Sequence, residues 1–531
     1  MSIEARCTPI IIGVGDIRNA STKVEDAREP ADLMLDAIHH ALQETGLNSA
    51  IDLRSQIDSI DVVRTWTWAY GDLPGLLAEK LNITSPLKHK LYTVNGGNQP
   101  ARILDEAARR ISRGESKLAV IAGGEALASA AACSKSNHFP PPGWTPADEN
   151  AEIFAPGELG QRDDIGSTHM MGAPIQIYPL YENGFRARRD QSFNDNNQES
   201  AVLYAKFSQV ASNHQFAWNY GKPPMDAKEI GTISKTNRMI CHPYPLFMNA
   251  FNTVNMAAAC LLTSTEHAKK LGIPEDRWIY VLGGAGTEES KKFWERPNYH
   301  SSAAISRSID EGLRVSGLKT SDIDIFDFYS CFPIVPKLAC HHIGLDPRRP
   351  TKPITVLGGL TSFGGAGNNY SMHAITEIVR QLRNPSTKKN NGLVLANGGV
   401  LTYQHVICLS KHPRKNGQPY PAHNPLPETL TDLPIPQIVE NAEGEATIET
   451  YTIEYSRTGT PETGYIVGRL KNASNARFVA VTADDKSLER LVELAVVDQP
   501  IGKIGYVYVE QDGNDKGRKR NLFTFGGKTR L

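Results

Sequence analysis

Apolar positions along the chain follow helical and strand periods in an order that is written twice, about 270 residues apart. The run Pro30 to Leu47 (PADLMLDAIHHALQETGL) repeats its apolar residues at amphipathic-helix spacing and leads into the strand Ile57-Asp58-Ser59-Ile60-Asp61-Val62-Val63. A Gly-Gly turn then opens a helix at Gly96 to Ile111, and a short apolar strand, Leu118 to Ala122, ends in Gly123-Gly124. In the second copy, Ala303 to Leu318 leads into Ile323-Asp324-Ile325-Phe326-Asp327-Phe328-Tyr329. A Gly-rich turn and helix follow at Gly364 to Leu382, then a strand from Leu393 to Ala396 ending in Asn397-Gly398-Gly399. A duplicated order of helix, strand, Gly turn, helix and strand predicts one α/β unit packed against its twin. Parallel strands need both faces covered, so the expectation is five layers with helices sandwiched between two mixed sheets, and a site where the halves meet.

Outside the repeat, Pro9-Ile10-Ile11-Ile12-Gly13-Val14-Gly15 predicts a buried strand. Arg18 stands where a dinucleotide fingerprint would need its third Gly, so these glycines read as structural. Residues 128–250 carry few periodic runs and many Pro, Trp, Tyr and His residues, and a long irregular stretch of this kind is usually functional. Within it, Glu199 to His214 has helical spacing and could cover the mouth of a site. Asn255 to Leu262 predicts a buried strand and Thr265 to Leu271 a helix stopped by Gly272. After residue 411 comes a Pro-rich linker, then alternating runs at Ala446–Tyr455, Gly464–Leu470, Arg477–Thr482 and Ile504–Val509, which predict a small antiparallel barrel of OB type. The expected divisions are 1–127 with 251–270, an insert at 128–250, a second half at 271–411, a linker at 412–429 and the barrel at 430–531.

Composition narrows the function classes. With 531 residues, 40% hydrophobic and 22% charged, and a formal net charge of -1, nothing favours nucleic acid or an anionic membrane surface, and small-molecule work is the expectation. Seven cysteines without C-x-x-C spacing fit a reducing compartment with neither a disulfide framework nor a metal site. Met1 to Ile12 lacks a long apolar core and the other apolar runs are strand-length, so the expectation is a chain inside the cell with no membrane span. The final Lys528-Thr529-Arg530-Leu531 approaches a peroxisomal address, so cytoplasm and peroxisome both stand.

Four segments, in order, carry a family resemblance: Tyr92-Thr93-Val94-Asn95-Gly96-Gly97-Asn98-Gln99, Asp327-Phe328-Tyr329-Ser330-Cys331-Phe332-Pro333, Gly358-Gly359-Leu360-Thr361-Ser362-Phe363-Gly364-Gly365 and Leu395-Ala396-Asn397-Gly398-Gly399. The chain resembles the thiolase superfamily, in particular thiolases of the sterol-carrier-protein type and, in its C-terminal extension, type-1 thiolase-like proteins. The resemblance implies a duplicated thiolase fold (αβαβα) with an inserted loop domain and an additional barrel, acyl-CoA substrates and a homodimer. Coenzyme A would enter as part of the substrate, with no permanently bound cofactor.

It also implies four catalytic positions, and this chain departs at each. Asn98 stands where the acyl-accepting Cys would be, Tyr329 where a thioester-binding His would be, Gly365 where the activating His would be, and Asn397 where the proton-shuttling Cys would be. An amide cannot form a thioester; Asn98 reads as a helix cap, with a ligand role besides. Tyr329 can donate a hydrogen bond to a developing oxyanion or pack as an ordinary aromatic. His373, about two turns into the following helix, should not substitute for the missing His. Tyr370 and Cys331 complete the candidate catalytic set. Gly97, Gly365, Gly367, Asn368, Asn397 and Gly398 form the candidate binding set, because Gly-rich turns that open helices offer free N–H groups. The flank of Cys331 is apolar, which favours an inert thiol. Cys133 is expected to be exposed, and Arg186-Ala187-Arg188-Arg189 reads as a solvated face or a site for CoA phosphates. Three functions stand: acyltransferase-class carbon–carbon chemistry, a retro-aldol lyase of a β-hydroxyacyl-CoA that uses Tyr residues, and a non-catalytic acyl-CoA or lipid binder.

Overall fold

The computed structural model describes residues 7–47, 53–151, 153, 164–415, 417–472, 474–511 and 519–526; the Lys528–Leu531 signal lies outside them. The first half runs β1 (Pro9–Arg18), α1 (Pro30–Glu44), β2 (Ser59–Val62), α2 (Leu73–Lys80), β3 (His89–Tyr92), α3 (Gln99–Ser112) and β4 (Leu118–Ala126). The inserted region contributes α4 (Pro174–Arg188) and α5 (Phe193–Asn213), after which β5 (Asn255–Ser264) completes the first half. The second half repeats the plan with β6 (Ile279–Glu288), α6 (Ala303–Ser316), β7 (Ile325–Phe328), α7 (Ile334–Ile343), α8 (Tyr370–Arg383), β8 (Asn391–Gly398) and β9 (Tyr403–Ser410).

The sheet order is β3-β2-β4-β5-β1-β6-β9-β8-β7. In the first half β2 runs parallel to β3 and β4, and β5 runs antiparallel to β4 and β1; in the second, β7 runs parallel to β8, and β9 antiparallel to β8 and β6. The counterpart of β3 is an extended segment beside β7, where Phe326 N donates to Pro353 O at 2.9 Å and Phe328 N to Ile354 O at 3.1 Å. The halves join edge to edge only at Ile10/Tyr280 and Ile11/Ile279. α3 and α8 pack against strands of both halves, while α1 and α6 cover the outer faces, which makes the five layers. Gly13 and Gly15 permit close packing of β1 on α1, since a methyl group on either would collide with the carbonyl oxygens of Ala41 and Ala37. They serve no phosphate.

The insert is more regular than its sequence suggests, because α4 and α5 span most of 174–213. The period of α4 is hidden by the buried polar residues Glu182, Asn183 and Arg186 and by Pro179 inside it, whereas α5 contains the helix read from Glu199 and begins six residues earlier, at Phe193. The Arg186–Arg189 cluster divides: Arg188 is exposed, as a solvated face would have it, while Arg186 and Arg189 are taken up by protein partners. Arg186 is fully buried and donates to Asn183 Oδ1 and Tyr451 Oη, and Arg189 forms a bidentate pair with Glu199. Cys133, expected at the surface, is fully buried.

At the C-terminal end, β10 (Gly444–Tyr455), β11 (Pro461–Leu470), β12 (Arg477–Thr482), the helix α9 (Asp485–Val497), β13 (Ile504–Gln511) and β14 (Lys519–Thr524) form a closed five-strand barrel in the order β11-β12-β14-β13-β10, with β10 pairing back to β11. The expectation of a wholly antiparallel barrel needs correction. β12 and β14 run parallel, because α9 carries the chain across the barrel between β12 and β13. The barrel is fastened to the body by buried cations: Arg477 donates to the carbonyls of Trp294 and Arg296, and Arg296 to Tyr181 Oη, Val400 O and Thr402 Oγ1. Among the described residues no helix is long and apolar enough to cross a membrane.

Candidate functional site

Two helix-opening turns face each other across the central layer, one from each half. α3 begins after Gly96-Gly97-Asn98 and α8 after Gly367-Asn368-Asn369, so the free N–H ends of both helices point into the space between the halves. Asn368 ties the turns together: Gly96 N donates to its Oδ1 at 3.0 Å, and its Nδ2 donates to Arg64 O and Asn95 Oδ1. The end of β8 closes on the first turn. A methyl group on Gly97 would collide with Asn397 O and lie 3.0 Å from Tyr329 Oη, and one on Gly398 would lie 2.6 Å from Gly97 N. Gly97, Asn98, Tyr329, Asn368, Asn397 and Gly398 therefore converge, at the C-terminal ends of β7 and β8 and the N-terminal end of α3.

The expected cap at Asn98 is corrected by the structure. Asn98 occupies the N-cap position, but its side chain makes no capping bond, because its backbone is already helical and turns the amide away from the first free N–H groups. Its Oδ1 is buried without a partner, and the amides of Gly97 and Asn98 donate to nothing among the described residues. Beside them, burial raises the Tyr329 hydroxyl well above its ordinary pKa, so it is held as a donor. Asn397 is consumed by protein contacts: its Nδ2 donates to Tyr178 Oη at 2.9 Å and its Oδ1 accepts from Gln404 Nε2 at 2.7 Å. Burial pushes the Cys331 thiol up to about 12, far from a thiolate at neutral pH.

The insert roofs this space. Tyr204 of α5 donates to Ser330 O at 2.9 Å, Tyr178 of α4 stacks on Phe332 at 4.6 Å, and Tyr178 Oη donates to Gly399 O at 3.1 Å. Trp218 N donates to Phe363 O, and Gly365 N to Phe251 O, so the 358–365 turn is clamped from outside. A narrow crevice, too tight as it stands to admit a water molecule, runs under α5 between Tyr204, Phe207, Ile230 and Phe247, with Gly358-Gly359 at its floor. Asn98, Tyr329 and Cys331 are 6%, 7% and 8% exposed, so the site is closed.

Two family models match the chain, a thiolase C-terminal domain-like model at residues 285–411 and a thiolase-like protein type 1 additional C-terminal domain at 425–514. Among solved structures, a monomeric SCP2-thiolase like protein type 1 from Mycobacterium smegmatis is 31% identical, with a TM-score of 0.77, over 98% of this chain and 99% of the other. The chain belongs to the type-1 thiolase-like proteins. The fold is shared more distantly with an Ltp2-ChsH2(DUF35) aldolase, at 17% identity and a TM-score of 0.57 over 76% of this chain and 98% of that one. Human mitochondrial 3-ketoacyl-CoA thiolase, at 13% and 0.52 over 76% and 98%, also shares it. No curated protein matches.

In this type-1 thiolase-like protein the other candidates lie around the second turn. Gly365 abuts Asn252 and Phe251, just beyond the insert, and Gly367 lies against the carboxyl of Glu125. Tyr370, the first residue of α8, is fully buried with its ring edge-on to Tyr329 at 5.5 Å. His373 is held to Asp16 at 2.6 Å, which with Arg380 makes a buried charge cluster in the central layer.

Two carboxyls escaped the sequence reading. Glu125, at the end of β4, accepts from Thr65 Oγ1, Thr67 Oγ1 and the amides of Trp66 and Thr67, and burial lifts it to about 7. Burial lifts Asp327 to about 7 as well, and one of its oxygens has no partner. The available signal was a carboxyl at an inward position of a buried strand.

Proposed function

We propose that this protein binds an acyl-CoA thioester between the two helix-opening turns and performs carbon–carbon bond chemistry on it without an acyl-enzyme, as a lyase of a β-hydroxyacyl thioester. The observation that carries this reading is the pairing, at the start of α3, of an amide where a nucleophile would stand with unused donors beside it. Asn98 cannot accept an acyl group, and the Cys331 thiol is kept protonated by burial. The amides of Gly97 and Asn98, together with the Tyr329 hydroxyl, offer three donors for one oxygen. A retro-aldol cleavage breaks the Cα–Cβ bond as the β-hydroxyl gives its proton to a general base, and releases an aldehyde or ketone. The electron pair passes to the enolate, whose charge lies on the thioester oxygen until the α-carbon takes a proton back to give the shortened acyl thioester; preorganised donors at that oxygen stabilise the transition state, each worth about 3 kcal/mol in comparable holes. The raised pKa of Tyr329 suits it to donate to the enolate rather than to act as the base. An acyl chain would enter the apolar crevice under α5 only after α5 moved away from Gly358-Gly359, since the crevice is closed in this structure. The fold shared with an aldolase agrees with this reading at the level of architecture only.

A second reading, a non-catalytic acyl-CoA binder, is favoured by one observation: the side chains of Asn368 and Asn397 are both occupied by protein partners. Calorimetry with acetyl-CoA and a longer-chain acyl-CoA, with mass spectrometry of protein and ligand, separates the two. Cleavage of a β-hydroxyacyl-CoA without a mass increment on the protein supports the lyase, binding without turnover supports the binder, and an acyl-enzyme or no binding overturns the proposal. The related structure is described as monomeric, so we propose a monomer where the superfamily resemblance implied a homodimer. A dimer on gel filtration at micromolar concentration would reverse that.

A further inference from the structure

Behind Tyr329 the second half holds three side-chain polar atoms with no hydrogen-bond partner among the described residues: Asp327 Oδ1, Ser330 Oγ and Tyr370 Oη. Ser330 and Tyr370 are fully buried and Asp327 is 1% exposed. They share one space. The Tyr370 hydroxyl is close enough to the Asp327 carboxyl, to Ser330 and to Thr355 to influence and be influenced by them, yet not in hydrogen-bond geometry. A methyl group on Gly359 would lie 2.8 Å from Ser330 Oγ, so the floor of the crevice under α5 is also the roof of this cluster. The second Asp327 oxygen is already used, accepting from Thr355 Oγ1 at 3.0 Å and Val356 N at 2.8 Å.

Buried polar atoms left unpaired are costly and uncommon, and these three are complementary: two hydroxyl donors and one carboxyl acceptor. We propose that Asp327 is a positioning residue for the tyrosine pair: its free oxygen receives the hydroxyls of Tyr370 and Ser330 and, through the Tyr370 ring packed edge-on against Tyr329, sets where the Tyr329 hydroxyl stands beside Gly97. Its relevance to catalysis rests on reading Tyr329 as the site's donor; the hydrogen-bonded device itself does not.

Asp327 meets no charged side chain from any element packed against it among the described residues. It faces Thr355 and Val356 from the neighbouring extended segment, Tyr370 from α8, Ser330 just beyond its own strand, and Val394 across the sheet from β8. Burial alone raises it to about 7, so its ionisation falls in the working pH range. Below that pH the neutral acid can donate to the Tyr370 oxygen, leaving the Tyr370 proton free. Above it the carboxylate accepts both hydroxyls in charge-assisted bonds, which draws the Tyr370 ring toward β7.

The test is a double-mutant cycle on the full chain, with Asp327→Asn, Tyr370→Phe and both together, read as unfolding midpoints on either side of neutral pH. Above neutrality the double variant is expected to shift the midpoint no further than the larger single substitution, and below neutrality the coupling is expected to persist but shrink, since a neutral hydrogen bond replaces a charge-assisted one. Additive shifts at both pH values overturn the proposal. Should Asp327→Asn fail to fold, the infrared band of the protonated Asp327 carboxyl is followed against pH in the parent and in Tyr370→Phe. Loss of the hydroxyl should move its midpoint upward, because the carboxylate loses a donor, and an unmoved midpoint or no titrating band overturns the proposal. Neither measurement uses substrate, so failure to turn over a CoA thioester would remove the lyase reading and leave this one standing.

Discussion

Asp58 and Asp324 occupy duplicate positions and do the same work: each takes the amides at the start of the neighbouring strand, Lys117 and Leu118 in one half and Asn390 and Asn391 in the other. Three residues on, the copies part. Asp61 is buried with His89 at 3.0 Å and with Arg110, whereas Asp327 meets only hydroxyls and one amide and keeps an oxygen unpaired. A position that starts a strand answers to backbone geometry, which both halves share. A position beside the cleft answers to whatever occupies the cleft, and only one half of a pseudo-twofold pair needs to supply it.

The largest asymmetry lies in the helices that follow β2 and β7. α2 ends in Lys80, about a third exposed, which reaches Asp32 at 2.9 Å and Glu29 at 3.6 Å. α7 carries Lys337, fully buried against Glu182 at 2.6 Å, Glu199 at 3.2 Å, Asn196 and Ser200, because the insert covers the second half here. Removing the cation strands carboxylates away from water, so Lys337→Met should cost about 3–5 kcal/mol while Lys80→Met costs under about 1 kcal/mol. Urea denaturation measures both. Similar losses for the two lysines would mean the insert is not held by this buried charge.

A smaller contrast is expected at the diverged aspartates. Asp61→Asn leaves Arg110 short of its counter-charge and should cost about 2–3 kcal/mol at neutral pH. Asp327→Asn differs in sign with pH. The native acid holds its proton up to about 7, while the unfolded chain releases it near the ordinary value of about 4, so the parent loses stability as pH rises through that window. Asparagine does not titrate, so the variant should gain on the parent by on the order of 2 kcal/mol from about pH 5 to about pH 8. A gap that stays constant across that range would show Asp327 to be ionised throughout.

The duplicated elements were legible because buried strands and amphipathic helices leave their period in the sequence, and because glycines end the helices where the register demands, as Gly272 and Gly317 do in left-handed conformation. α5 was legible over most of its length, from Glu199 on, but α4 was obscured for the opposite reason: the face that should read apolar carries Glu182, Asn183 and Arg186, whose charges and amides find partners such as Lys337 and Tyr451 far along the chain. α9 was lost among alternating runs on either side of it. At the site, the turns and Tyr329 came from the family resemblance, while Asp327 and Glu125 needed coordinates, since burial and not residue type sets their proton affinity.

The finest comparison is between the two asparagines that open α3 and α8. Both sit at the N-cap with helical backbone and make no capping bond, and both reach across to the opposite half. Both Oδ1 atoms are buried without a partner, but Asn369 Nδ2 donates to Gly123 O at 2.7 Å, whereas Asn98 makes no side-chain hydrogen bond among the described residues and its Oδ1 faces Gly398. Asn369→Ala removes a buried bond that joins the halves and strands a carbonyl, which should cost about 1–2 kcal/mol. Asn98→Ala deletes an unsatisfied oxygen and should lie within about 0.5 kcal/mol of the parent, its packing loss offset by the relief of burying that atom. If Asn98→Ala leaves the unfolding midpoint in place yet weakens binding of acetyl-CoA in calorimetry, the amide is held unpaired for a ligand. If stability falls as far as at Asn369, the twin asparagines share one structural role, and the asymmetry of the cleft would rest on Tyr329 and Asp327 alone.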